Sequence, residues 1–102
     1  MMDSRSELQK VLEGVDDRLK VYYQPPSNVT LQYPCIVYQL SRVRRVMGNN
    51  KVYHLRRSYT LLLITKGLND DLIDKLLQLP YIRHDRSYRA NNLQHESFTI
   101  NY

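Results

Sequence analysis

The stretch CIVYQLSRVRRVMGNNKVYHLRRSYTLLLITK, residues 35–66, decides the fold because it predicts a long β-hairpin. From Cys35 to Val46 a strand is predicted, because Ile36, Tyr38 and Leu40 alternate with Val37, Gln39 and Ser41 before three arginines. The segment MGNNK, residues 47–51, supplies a turn. A second, longer strand is predicted from Val52 to Lys66. We therefore expect a long hairpin of two antiparallel strands.

The second strand shows which end of this hairpin is buried. Tyr53, Leu55, Tyr59, Leu61 and Leu63 share one of its faces. Leu62 and Ile64 make the last third apolar on the other face as well. Strands that are apolar on both faces are covered on both sides. The end of the hairpin away from the turn is therefore predicted to be buried on both faces.

The turn end of the hairpin is basic. Six cationic residues lie near it: Arg42, Arg44, Arg45, Lys51, Arg56 and Arg57. We expect this end to project beyond the core and to face something negative, because six like charges near one turn repel each other. Clustered arginine beside tyrosine is typical of a phosphate-binding surface. A solvated arm and a contact with acidic residues of a neighbouring subunit are the alternatives.

Two amphipathic helices are predicted, one before the hairpin in the sequence and one after it. The first spans Asp3–Lys20, where leucines and valines recur every three or four residues and Ser4 with Glu7 fits a capping box. The loop QPPSN, residues 24–28, follows it. The second lies in GLNDDLIDKLLQLP, residues 67–80, with Asn69 as N-cap and Pro80 at its end. The residues of this helix expected to pack on the sheet are Leu72, Ile73, Leu76 and Leu77.

The chain closes with a second strand pair, predicted at Tyr81–Tyr88 and Glu96–Tyr102 and joined across RANNLQ, residues 89–94. The order is then helix, strand pair, helix, strand pair. This order predicts a single α+β domain over residues 1–102, with two helices packed on a largely antiparallel sheet and a long projecting hairpin.

The closing pair contains the residues that most resemble a catalytic or metal site. His84 is next to Asp85, and His95 is next to Glu96. Adjacent side chains on a strand point to opposite faces, so neither pair converges on one atom. Only a cross-strand meeting of His84 with His95 would create such a site. No phosphate-binding glycine loop, serine nucleophile elbow or H-E-x-x-H helix is present. We therefore predict no enzyme, no catalytic residue, no metal site and no cofactor.

Composition limits the environment and the partners. The net charge is +5, which bears on partners rather than on the fold. Cys35 is the single cysteine and is predicted to be a buried, inert thiol. Nine tyrosines suit an interface, because the tyrosine ring offers rigid contact area with a polar tip. No apolar run or signal segment indicates a membrane, so synthesis in the cytoplasm is expected.

Three blocks of the chain resemble the small tail terminator, or tail completion, proteins of long-tailed bacteriophages. They are YPCIVYQLS at 33–41, LNDDLIDKLLQLP at 68–80 and DRSYRANNLQHESFTINY at 85–102. The last block is the most specific, with a D-R-x-Y-x-A-x-N-L-x-H-x-x-F pattern similar to that of the family. The residues that match it are Asp85, Arg86, Tyr88, Ala90, Asn92, Leu93, His95 and Phe98. TKGLNDD, residues 65–71, departs from the family, and the hairpin is richer in arginine than the resemblance requires.

The resemblance implies a structural role for these residues. It implies a fold that closes into a ring, usually hexameric, which caps the tail tube in the virion where the tail meets the head. The implied partners are other copies of the chain, the tail tube protein, a head-completion protein of the neck and DNA that traverses the ring. A basic head-completion or DNA-binding accessory protein at the neck is the alternative function. The basic hairpin would face DNA or a neighbouring subunit.

Overall fold

The predicted hairpin forms the centre of a five-stranded sheet in the computed structural model, which describes residues 4–48, 51–67 and 69–102. The elements in chain order are α1 (Ser4–Glu13), β1 (Lys20–Tyr23), β2 (Cys35–Gly48), β3 (Lys51–Thr65), α2 (Asp70–Leu76), β4 (Ile82–Ala90) and β5 (Leu93–Asn101). The strand order across the sheet is β1-β2-β3-β5-β4. The fold is therefore α+β with two helices, as predicted.

The sheet is mixed because β1 pairs in parallel with β2, whereas the other three strand pairs are antiparallel. Strand β1 was not predicted, because the sequence prediction continued the first helix to Lys20, and that helix boundary was wrong. Helix α1 ends at Glu13, before Gly14, a residue type that is unfavourable in helices. Leu19 is nevertheless buried, although it lies in the loop before β1 rather than on a helix.

Both helices pack on one face of the sheet, which we call the covered face. Leu8 and Leu12 of α1 and Leu72 and Leu76 of α2 belong to this core. The sheet contributes alternate residues of its three central strands: Ile36, Tyr38, Tyr59, Leu61, Leu63, Phe98 and Ile100. Burial of each such side chain contributes roughly 1.5–3 kcal/mol, so this layer supplies most of the driving force for folding.

Helix α2 is shorter than predicted. It ends at Leu76 rather than at Pro80, and Leu77 is 42% exposed, so the prediction that Leu77 packs on the sheet was wrong. Asn69 occupies the N-cap position but makes no side-chain capping hydrogen bond. Asp16 links the loop after α1 to this helix, because it binds Lys75 (2.6 Å) and Arg18 (2.9 Å). A hydrogen bond from Arg18, and a weaker contribution from Lys75, hold the pKa of Asp16 below its usual range.

The opposite face of the sheet, which we call the open face, carries neither helix. Ile64 is buried on this face, and Leu62 is half-buried. The prediction that this end of the hairpin is covered on both faces is therefore confirmed at Ile64 and only partly at Leu62.

The turn between β4 and β5 is tighter than predicted. Two residues, Asn91 and Asn92, form it with φ of 53° and 63°. Asparagine tolerates this left-handed region, and two such residues are what a type I′ hairpin turn requires. The strands therefore extend to Ala90 and from Leu93, where the sequence had predicted a loop.

The central hairpin extends farther than its neighbour in the sheet. Strands β2 and β3 pair as far as Gly48 and Lys51, whereas β5 pairs with β3 only between Ser58 and Thr65. We call residues 42–48 and 51–57 the distal hairpin. Residues 49–50 of the predicted turn lie outside the described residues.

Candidate functional site

The distal hairpin has two chemically different faces. Strand β2 has an irregularity between Leu40 and Arg42, after which Arg42 lies opposite Ser58 and Arg44 opposite Arg56. Residues opposite each other share a face in a sheet. Arg42, Arg44 and Arg56 therefore lie on the open face.

A basic cavity occupies the open face at the base of the distal hairpin. It has a volume of about 470 Å³. Four strands line it, with Ser41, Arg42, Arg44, Arg56, Ser58, Arg83, Thr99 and Asn101. The Ser41 hydroxyl donates to the Ser58 carbonyl (2.9 Å), and the Ser58 hydroxyl donates to Asn101 Oδ1 (2.6 Å). These two bonds tie the floor of the cavity together.

Only one carboxylate lies next to this cavity among the described residues. Asp85 accepts from Arg83 Nε (2.8 Å) and from the Thr99 hydroxyl (2.6 Å). The hydrogen bond from Thr99, and to a smaller extent the one from Arg83, lower the pKa of Asp85. This carboxylate is therefore ionised at neutral pH and neutralises the charge of Arg83. No acidic side chain in the described part of the chain pairs with Arg42 or Arg44.

The other face of the distal hairpin is partly apolar. Val43 lies opposite Arg57, and Arg45 lies opposite Leu55. Val43 is 47% exposed and Leu55 is 44% exposed, and neither is covered by a helix. The six predicted basic residues are thus divided: three lie on the open face and Arg45 and Arg57 on the other, while the side chain of Lys51 lies outside the described residues.

The helical layer has the opposite charge. Residues 4–18 and 69–79 hold seven acidic and four basic side chains, whereas the distal hairpin holds no acidic residue at all. Asp70 and Asp74 lie four residues apart on α2 and are both exposed, so they share one face of that helix. The positive and negative surfaces of the chain therefore lie on different elements.

The family-pattern residues hold the β4–β5 pair together. Phe98 is fully buried, and the His84 ring packs edge-on against it at 5.2 Å. His95 stacks on Tyr88 with centroids 4.8 Å apart, and its Nδ1 lies 3.1 Å from the Leu93 carbonyl. Leu93, the first residue of β5, is half-buried.

Arg86 and Asp85 lie near these residues. The Arg86 guanidinium lies 4.6 Å from the centre of the Tyr88 ring, which His95 also contacts. Asp85 marks a register shift between His84 and Arg86. His84 and His95 consequently lie on opposite faces of the sheet and do not meet.

The structure assembles a polar cluster that the sequence did not predict. Glu96 is 3% exposed, and its Oε1 lies 2.8 Å from His84 Nε2 and accepts from the Ser87 hydroxyl. Its Oε2 accepts from Gln94 Nε2 at 2.8 Å. Burial acts to raise the pKa of Glu96, but the bonds from Ser87, His84 and Gln94 outweigh it and lower that pKa.

The geometry of this cluster does not match a Ser-His-acid triad. In a triad the acid and the serine use different ring nitrogens of the histidine. Here Ser87 Oγ, at 3.3 Å, and Glu96 both approach Nε2 of His84. The serine proton is directed to the carboxylate, so the imidazole does not activate it. The cluster is suited to fixing β4 on β5.

Glu96→Gln is expected to lower the free energy of unfolding by about 1–3 kcal/mol at neutral pH, because an amide cannot accept all the bonds that Glu96 accepts. The folded-state pKa of Glu96 is lowered, so its contribution is present above the unfolded pKa of about 4.3. It is lost as the pH falls through the folded pKa. The difference between wild type and variant should therefore shrink under acid conditions, which urea unfolding at a series of pH values would measure.

Glu13→Gln is the matched control, since Glu13 is exposed on α1. Its effect should stay within about 0.5 kcal/mol at every pH. A Glu96→Gln difference that does not change with pH would contradict the assigned role of the carboxylate.

Cys35 is buried, and burial raises the pKa of its thiol to about 11. This environment is consistent with the inert thiol that the sequence predicts.

Among the described residues, no group of three or more His, Cys, Asp or Glu side chains is arranged to hold a metal ion. The same part of the chain has no helix with the length and apolar character needed to cross a bilayer. Comparison with protein-family models and with curated proteins gave no match.

Proposed function

We propose that this chain is a structural subunit of a phage virion, which assembles with other copies into a ring at the head-proximal end of the tail tube. The proposal is supported by the resemblance of the closing block to tail terminator proteins. Within that block, Phe98, His95 and Tyr88 of this chain have packing roles. In this function the ring caps the tube and offers the surface that joins tail to head.

The observation that carries the proposal is the separation of surfaces on one chain. The distal hairpin is basic and exposes Val43 and Leu55, whereas the helical layer is acidic. The basic surface is complementary in charge to the acidic surface, whereas each surface repels a second copy of itself. A contact between different surfaces of identical chains is head-to-tail, and it gives a closed ring when its rotation closes.

We propose that the distal hairpin projects from the domain as an arm and packs on the helical layer of the next subunit. Exposed Asp70 and Asp74 of α2 would then face arginines of the arm. Complementary charge guides such a contact, and the exposed apolar residues give it contact area that is removed from water. Edge strand β4 is the second surface available to a neighbour, although its three arginines disfavour simple strand addition.

Localisation in the particle tests this function. An affinity-tagged copy should appear as one ring at the junction of head and tail in electron micrographs, and native mass spectrometry of released tails should give an oligomer of this chain. A monomer in solution would be compatible with the proposal, because such a ring can require the tube as a template. Absence of the protein from purified virions would contradict it.

A DNA-binding accessory or head-completion protein of the neck is the second candidate, and the cavity lined by Arg42, Arg44 and Arg56 favours it. That function needs tight binding of DNA at physiological salt, which a ring around passing DNA does not need. Loss of DNA binding with normal joining of heads and tails would favour the ring over this candidate.

A further inference from the structure

We infer that the basic cavity on the open face is a binding site for the phosphodiester backbone of double-stranded DNA. The arginines of β2 and β3 reach it from the distal hairpin, and Arg83 reaches it from the edge strand β4. This site is separate from the apolar face of the hairpin, so it does not depend on ring assembly.

The charges in the cavity define the ligand as an anion with several charged groups. Four guanidinium groups share the cavity, and the neighbouring carboxylate, Asp85, is bonded to Arg83 and Thr99. Arg42 and Arg44 pair with no acidic residue of the described chain and lie two residues apart on one strand. Guanidinium groups bind phosphate oxygens in a fixed, two-pronged geometry. A row of phosphates satisfies such a row of arginines better than one small anion does.

The lining also argues against other ligands. Small-molecule sites are mostly apolar, whereas charged and hydroxyl-bearing side chains line this cavity. Single-stranded nucleic acid is held by bases that stack on aromatic rings. None of the residues lining the cavity is aromatic. The backbone of a duplex needs no such ring.

The two faces of the hairpin provide a matched test. Arg42→Ala with Arg44→Ala removes two charges from the open face, and Arg45→Ala with Arg57→Ala removes two charges from the other face. Binding of a short fluorescent duplex would be measured by anisotropy over a range of salt concentrations. For the wild type, the logarithm of affinity should fall linearly with the logarithm of salt concentration.

The open-face double variant should reduce the steepness of that salt dependence by about two units, with an affinity loss of roughly tenfold per arginine near 0.1 M salt. The opposite-face double variant should keep the wild-type slope. Arg44→Lys retains the positive charge and should keep most of the slope. Thermal melts would show that all variants are folded.

Three results would overturn the inference. The first is undetectable binding of the duplex by the wild type at low salt. The second is an equal loss of slope in both double variants, which would show that net charge matters and the cavity does not. The third is displacement of the duplex by poly-glutamate as readily as by unlabelled DNA, which would identify an acidic protein surface as the ligand.

Discussion

Phe98→Ala is expected to lower the free energy of unfolding by about 3–5 kcal/mol. Phe98 is fully buried in β5, where it lies opposite Leu61 of β3 and packs against the His84 ring of β4. Its removal leaves a cavity below both helices that rigid neighbours cannot fill. A domain of this size is stable by only about 5–15 kcal/mol, so the variant should be close to unfolded at physiological temperature.

Urea unfolding followed by circular dichroism would measure this loss. Ser97→Ala is the control, since Ser97 is the preceding residue of β5 and lies on the open face. Its effect should be within about 0.5 kcal/mol. A Phe98→Ala cost below about 1 kcal/mol would show that β5 does not pack on the helices in solution.

The sequence predicts the central hairpin because two segments with strand-like alternation, Ile36–Ser41 and the stretch from Tyr53 to Leu63, lie on either side of a turn segment. Strand β1 was not predictable in the same way. It has four residues, and its pairing with β2 is parallel and distant in sequence. Its position is decided by contacts of the folded sheet, which a local pattern does not contain.

The Glu96 cluster shows where a local irregularity decides a site. The two-residue turn at Asn91 and Asn92 sets a register in which Ser87 lies opposite Glu96. Continued without interruption, this register would place His84 opposite Thr99, on the open face. The shift at Asp85 places His84 opposite Phe98 instead, on the same face as Glu96. A bulge of this kind has no clear signal in a single sequence.

The same reasoning applies to the basic hairpin. The sequence locates the six charges, but simple alternation from Leu40 would put Arg42 and Arg44 on the covered face and Val43 on the open face. The irregularity after Leu40 exchanges these faces. The basic cavity and the apolar face of the distal hairpin therefore both depend on one extra residue in β2, Ser41.

If the chain is the ring subunit proposed above, Val43→Glu is expected to abolish its assembly into tails without unfolding it. Val43 is 47% exposed on the face of the distal hairpin that we propose to contact the next subunit. A carboxylate there would be buried against acidic Asp70 and Asp74 of the neighbour, where burial and like charge both oppose it. Changes at the few hot-spot residues of an interface cost about 2 kcal/mol or more, and we expect at least this cost for a buried carboxylate, which is about 30-fold in the affinity of each contact. A ring repeats this contact at every subunit, so the losses accumulate.

Complementation of a phage that lacks the gene would measure the effect, as the yield of joined, infectious particles. Val29→Glu is the matched control, because Val29 is a valine of similar exposure, 39%, in the loop before β2 and outside the hairpin. It should complement like wild type, and thermal melts of both variants should match that of the wild type. If Val43→Glu complements as well as Val29→Glu, the distal hairpin is not a subunit contact. The basic hairpin and the acidic helical layer would then contact other proteins instead. The tail tube protein and the neck proteins are the partners to examine first.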